Sequence, residues 1–148
     1  MVSGSEERNR RAVVTSILQY GGKILLLRRS EQVGSYRGRW AGVSGSIDPG
    51  QTPEQQARQE IWEETRLTND DVRLIAVGEP LQVDDPTAGF FWTVHPFRFE
   101  VIHPERIQTD WEHVELRWIE PADLSRFETV PRLVDVWARV ARDDELKG

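Results

Sequence analysis

Residues 45–67 read GSIDPGQTPEQQARQEIWEETRL, and this stretch decides how the rest of the chain is read. Thr52 is a good N-cap, Pro53 suits the first helical position, and Gln55 stands three residues after Thr52, which completes a capping-box pattern. A helix is therefore predicted over residues 52–67. On it Glu60, Glu63 and Glu64 are spaced i, i+3, i+4, so their carboxylates fall within an arc of roughly 100°. Like charges at that spacing destabilise an isolated helix, and something cationic usually compensates. A hard divalent ion such as Mg²⁺, which takes a few carboxylates and keeps waters and phosphate oxygens, would do so. A solvated acidic helix face would present the same three residues.

Upstream, residues 12–18 are rich in β-branched side chains and read as a strand. The pair Gly21-Gly22 then separates them from a second apolar run, Lys23 to Arg28, as in a tight hairpin. Residues 30–38 form a polar loop with two glycines, and residues 40–47 read as short extended pieces broken by small residues. Downstream, strands are predicted over residues 72–77, 90–99 and 114–119. Pro96 demotes the second half of the 90–99 segment to an edge or bulge. In the strand from Val114, Glu115 and Arg117 share one face and are expected to pair. A closing helix over residues 131–142 carries Leu133, Val136, Trp137 and Val140 on one stripe. This order of strands, helix, strands and helix predicts an α/β fold, a mixed sheet covered by helices on both sides.

The stretch resembles the Nudix box, G-x5-E-x7-R-E-U-x-E-E-x-G-U, with U a bulky aliphatic. Gly45, Glu60, Ile61, Glu63, Glu64 and Leu67 match it. Gln51 stands for the first glutamate, Gln59 for the arginine and Arg66 for the closing glycine. The resemblance extends to the Gly38-Arg39-Trp40-Ala41-Gly42 approach and to a late E-x5-W strand, Glu112 to Trp118, which leads into Pro121. It implies a Nudix-type α/β/α sandwich and metal-dependent cleavage of a pyrophosphate bond in a nucleoside diphosphate linked to another moiety. The implied cofactor is Mg²⁺, with Mn²⁺ as an alternative. The implied metal ligands are Gly45 through its carbonyl, Glu60, Glu63 and Glu64; Glu63 and Glu112 are the candidates for catalysis as bases. Arg28, Arg29, Arg37 and Arg39 flank the box loop and are candidates to meet a polyphosphate, with Arg28, Arg37 and Arg39 preferred. Phe90, Phe91 and Trp92 are read mainly as core, with stacking on a base as the other use. Trp62 points away from the glutamate face. His95, His103 and His113 show no metal-like spacing and are given no role.

Gln59 keeps hydrogen-bonding capacity but removes the positive charge, and Arg58 lies about 100° away around the helix. A left-handed Arg66 would cost roughly 1 kcal/mol. These departures favour a second reading, a Nudix-fold binding or regulatory module that has lost catalysis; the three clustered glutamates oppose it.

Composition narrows the partners. The 148 residues favour one domain over 1–148, with residues 1–11 as a polar tail. With no cysteine, there is no disulfide framework, no thiolate metal site and none of the cysteine-dependent isomerase chemistry that the same fold supports. A net charge of −6 argues against general nucleic-acid binding. No segment approaches the roughly 20 apolar residues of a membrane span. A cytoplasmic enzyme acting on a small nucleotide-type substrate is expected, and a homodimer is left open.

Overall fold

The computed structural model describes residues 10–34, 36–86 and 89–146. Residues 1–9 of the expected tail lie outside it, whereas Arg10 and Arg11 already belong to the first strand. Strands β1 (Arg10–Tyr20) and β2 (Lys23–Arg29) pair antiparallel around Gly21 and Gly22. Both glycines have left-handed backbones, φ 58° and 80°, as a two-residue hairpin of this hand demands. Short strands β3 (Trp40–Ala41) and β4 (Val43–Ser46) lead into helix α1 (Pro53–Thr65). The capping box forms as predicted: Gln55 N–H donates to Thr52 Oγ1 at 3.1 Å, and Thr52 N–H donates back to Gln55 Oε1 at 2.9 Å. Next come β5 (Val72–Val77), β6 (Leu81–Asp85), β7 (Phe90–Val101) and β8 (His113–Ile119). Helices α2 (Leu133–Val140) and α3 (Asp143–Leu146) end the described chain.

The strands form one eight-stranded sheet whose spine runs β3-β2-β1-β7-β5, with β4 on β1, β6 on β7 and β8 on β2. β1 and β7 are parallel and the remaining pairs antiparallel, so the sheet is mixed. Successive side chains of a strand point to opposite faces, and both faces are covered. Leu25 and Leu27 join Val14, Ile61 and Phe99 in the core under α1, while Ile24 and Leu26 join Ile17, Val136 and Trp137 in the core under α2. Burial on both sides is why β2 is apolar without alternation.

Pro96 does not mark an edge, but the half of the strand that follows it pairs with β5 through a register shift between Leu74 and Ala76, the bulge that is the other expectation. Pro96 sits in the middle of β7, between β1 and the line formed by β5 and β6. β6 pairs up to Val94 and β5 pairs from Phe97, so Pro96 falls at the junction between them. Its carbonyl accepts from Gly78 N–H at 3.0 Å there. A residue's N–H and C=O point to the same side of a strand, so the missing N–H is aimed where neither neighbour needs it. β6 itself was not foreseen: Leu81–Asp85 is short, begins just after a proline and ends in two aspartates.

Candidate functional site

The helix glutamates gather where α1 crosses β4. Gly45, paired with Val14, leaves its Cα bare beneath Glu60; a Cβ built there would lie 2.1 Å from the Glu60 carboxyl carbon. Any side chain at position 45 would therefore displace Glu60. Glu60 is held from the other side by Gln56, whose Nε2 donates to Glu60 Oε2 at 2.8 Å. The same buried amide accepts from Asp48 N–H at 3.0 Å, so Gln56 fixes both the box loop and the carboxylate. Burial, then neighbouring Glu63 and Asp48, push the Glu60 carboxyl up to about 7 against the pull of Gln56.

Glu64 is buried, and burial followed by the charges of Glu60, Glu112 and Asp110 raises its pKa well above the usual carboxylate range. Its Oε1 faces His113 Nε2 at 3.5 Å. His113 is buried too, with Nδ1 3.0 Å from Asp110 Oδ1. Burial lowers the imidazole pKa and Asp110 opposes that. The His113 ring thus bridges Asp110 and Glu64, joining the turn before β8 to α1. Asp110 Oδ1 also accepts from Glu112 N–H at 3.1 Å, and Glu112 C=O accepts from Ser30 N–H at 2.7 Å. This turn fixes the backbone of Glu112 close enough for its charge to act on Glu64. Glu112 is thus brought within electrostatic reach of Glu64, and Glu60 within reach of Glu63 and Glu64, although 48 positions separate Glu112 from Glu64 in the chain.

Glu63 is exposed and accepts from Gln59 Nε2 at 3.2 Å. Gln59 Oε1 in turn accepts from Gln51 Nε2 at 2.8 Å. Two of the three departures from the box are therefore in contact with each other. The third, Arg66, has the left-handed backbone inferred as one alternative, φ 65°, and closes α1 by donating its N–H to Trp62 C=O at 2.8 Å. Its guanidinium lies 4.3 Å over the exposed Trp62 ring, a cation–π contact that offsets part of the strain. Arg58 pairs with Glu54 at 3.1 Å, away from the site.

Among the described residues no three carboxylate or imidazole groups converge on one point. The chemistry of the donors nonetheless fits a hard cation. The anionic forms of Glu60 and Glu64 are disfavoured by burial and by each other, and a divalent ion would reverse both costs. The Gly45 cradle places a backbone strand against the same carboxylate.

On the other face of the sheet a cleft of about 280 Å³ reaches Ser44, Gly45 and Ser46 at one side. Val13, Val83, Trp92 and Val94 line its floor and Leu133 and Val136 of α2 its wall. Arg29 and Arg132 contribute cations, and Arg132 has φ 71°. Arg28, Arg37 and Arg39 do not line it. Arg28 donates to Gly38 C=O at 3.3 Å and lies 3.9 Å from Glu115; Arg37 donates to Val33 C=O at 2.9 Å and Arg39 to Thr129 C=O at 3.2 Å. Glu115 pairs with Arg117 at 2.7 Å, as their shared face predicted. Gln56 and His113 escaped the sequence reading. Gln56 lies four residues before Glu60, a spacing that could have signalled contact, whereas nothing local announced that His113 would reach Glu64.

A sequence model described as the NUDIX domain matches residues 8–140. The chain is 26% identical over 130 residues to a nucleoside triphosphatase NudI of Escherichia fergusonii, covering 80% of this chain and 87% of that protein. Its fold is similar to that of a MutT protein from Methanosarcina mazei, with TM-score 0.75 and 23% identity over 94% of this chain and 96% of the other. It is also similar to a C. elegans Ap4A hydrolase, with TM-score 0.69 and 21% identity over 88% of this chain and 93% of that one.

Proposed function

The chain belongs to the Nudix family, and from that premise we propose that it hydrolyses a pyrophosphate bond in a nucleoside diphosphate linked to another moiety, with Mg²⁺ or Mn²⁺ as cofactor. The observation that carries this reading is the buried pair Glu60 and Glu64 on α1, with Glu60 packed on the bare Cα of Gly45, whose backbone also borders a cleft that holds two arginines. A divalent ion bound there would polarise phosphate oxygens and bring the pKa of a water toward neutrality.

The chain's own residues divide the remaining work. Glu60 and Glu64 would hold the ion together with the Gly45 carbonyl, and Gln56, which donates to Glu60, would keep that carboxylate in place. Glu63 is an additional ligand or base. Glu112 stands on a separate turn, clamped by Asp110 and Ser30. It takes the proton of the attacking water, because carboxylates bound to a metal are poor proton acceptors. Arg29 and Arg132 meet the phosphates from the cleft. The curated relative named a nucleoside triphosphatase supports beginning with nucleoside triphosphates.

The test is a panel of nucleoside triphosphates, nucleoside diphosphate conjugates and dinucleoside polyphosphates with Mg²⁺ and with Mn²⁺, scored by phosphate release after phosphatase coupling. Metal-dependent release from at least one class is expected. Silence across the whole panel would favour a binding module that retains the fold.

A further inference from the structure

His113 reaches α1 only because β8 carries an extra residue. In the ladder with β2, Glu115 lies opposite Arg28 and His113 opposite Arg29, so Val114 has no partner and bulges. Arg117 lies opposite Leu26, on the α2 side of the sheet, and Glu115 shares that face. Regular alternation would put His113 there as well. The bulge turns it instead to the α1 side, where its Nε2 comes within 3.5 Å of Glu64 Oε1. The His113 side chain is left 2% exposed, whereas Val114 is 62% exposed. Exposing a valine and burying an imidazole runs against side-chain hydrophobicity, so what the bulge achieves is the aim of His113.

From His113 a short line of contacts leads to Glu112. The ring Nδ1 lies 3.0 Å from Asp110 Oδ1, and the same oxygen accepts from Glu112 N–H at 3.1 Å. Glu112 C=O accepts from Ser30 N–H at 2.7 Å, just beyond the end of β2. None of residues 108–112 is itself buried, so this turn has no apolar anchor of its own. Its polar contacts hold it, and His113 is the member of the set that ties it to α1.

We propose that His113 is a positioning residue: through Asp110 it holds the Glu112 turn at a fixed place relative to Glu64. Its bearing on catalysis rests on the hydrolase reading, in which Glu112 must meet a water beside Glu64; a misplacement of about 1 Å can cost about 10² in rate. The tether itself is a property of the folded chain and is measured without substrate or metal.

The experiment is backbone amide hydrogen exchange, followed by NMR in EDTA, on the full chain as wild type, His113→Leu, His113→Gln and Asp110→Ala. His113→Leu fills the space without a polar contact and should speed exchange at the Ser30 and Glu112 amides by about tenfold or more, with Ile61 in α1 and Leu26 in β2 unchanged. His113→Gln, which keeps one donor and one acceptor, should restore part of the protection. Asp110→Ala cuts the same line at a residue outside the core and should speed the same two amides, which keeps the test open if His113→Leu folds poorly. Wild-type exchange at Ser30 and Glu112 in both His113→Leu and Asp110→Ala would overturn the proposal.

With a substrate in hand, His113→Leu should lower kcat by about tenfold or more and leave KM within about twofold. In a Glu112→Gln background the same substitution should change kcat by less than about twofold, because it acts through Glu112. Losses that multiply in the double variant would overturn the positioning role. Faster exchange in a chain that hydrolyses nothing would leave the tether standing and remove the hydrolase reading. Hydrolysis with unaltered exchange would do the reverse.

Discussion

Gln51 and Gln59 occupy the two box positions where the family has a glutamate and an arginine, and here their side chains touch. This contact predicts that the two departures are energetically one. Gln51→Glu alone places a carboxylate against the Gln59 carbonyl oxygen, 2.8 Å from the present donor. Gln59 can answer by flipping its amide, but the flip turns its oxygen toward Glu63 and loses the 3.2 Å bond there. The loss of one net hydrogen bond, about 1 kcal/mol, is joined by repulsion among the carboxylates. Gln59→Arg alone is nearly neutral, since a guanidinium still donates to Glu63 and Gln51 can flip to accept from it. In the double variant the guanidinium donates to both carboxylates. The expected coupling between the two sites is therefore favourable, about 1–2 kcal/mol. Urea or thermal unfolding of the wild type, both single variants and the double variant measures it, and each kcal/mol corresponds to about 2–4 °C in Tm for a domain of this size. Additivity within about 0.3 kcal/mol, or a Gln51→Glu variant as stable as wild type, would refute the pairing.

Three further outcomes follow from the same geometry. Arg66→Gly removes the cost of the left-handed backbone but also the Trp62 stack, so its stability should stay within about 0.5 kcal/mol of wild type, whereas Arg66→Ala keeps the strain, loses the stack and should cost about 1 kcal/mol in the same unfolding assay. Because the Glu60 carboxyl is held near pH 7 in the folded chain and near 4.5 when unfolded, the folded state binds the extra proton between those values; stability in EDTA should fall as pH rises from about 5 to 7, and Glu60→Gln should flatten that fall in melting curves taken across the window. Glu112→Gln should lower kcat by about 10² or more with little change in melting temperature, and Glu115→Gln should cost much less, since Glu115 is already paired with Arg117; near-normal turnover in the Glu112 variant would return the base role to Glu63.

What could be read in the sequence was local. The Thr52–Gln55 box, Pro53 and the i, i+3, i+4 glutamates each depend on residues within one or two turns, and α1 forms around them as expected. The Gly21-Gly22 hairpin and the stripe of α2 are likewise short-range signals. The parallel pairing of β1 with β7 joins residues some eighty positions apart, and no local pattern encodes a partner at that distance. The edge expected at Pro96, which is absent although a register shift follows it, has the same origin. The tolerance of Pro96 depends on a gap between β5 and β6 that exists only once both have docked. In the site, the helix glutamates were legible because one element carries all three, and Glu112 through its place before Trp118. The Gln51–Gln59 contact joins two positions that the linear box treats as separate, and His113 finds Glu64 only through the fold. Of the arginines close to the box in sequence, Arg28, Arg37 and Arg39 donate to loop carbonyls, while Arg29 lines the cleft together with Arg132 from far along the chain.

The claim on which the account rests is that Glu60 and Glu64 hold a divalent ion in the folded chain. Melting temperature as a function of Mg²⁺ concentration measures this without any assumption about substrate. A ligand of the native state alone stabilises it by about 2.7 kcal/mol at one hundred times its Kd, so the wild type should show a steady, saturable-site rise of several degrees across a titration. In the Glu60→Gln, Glu64→Gln double variant that rise should vanish. An equal rise in the double variant, or none in the wild type up to high millimolar Mg²⁺, would contradict the account.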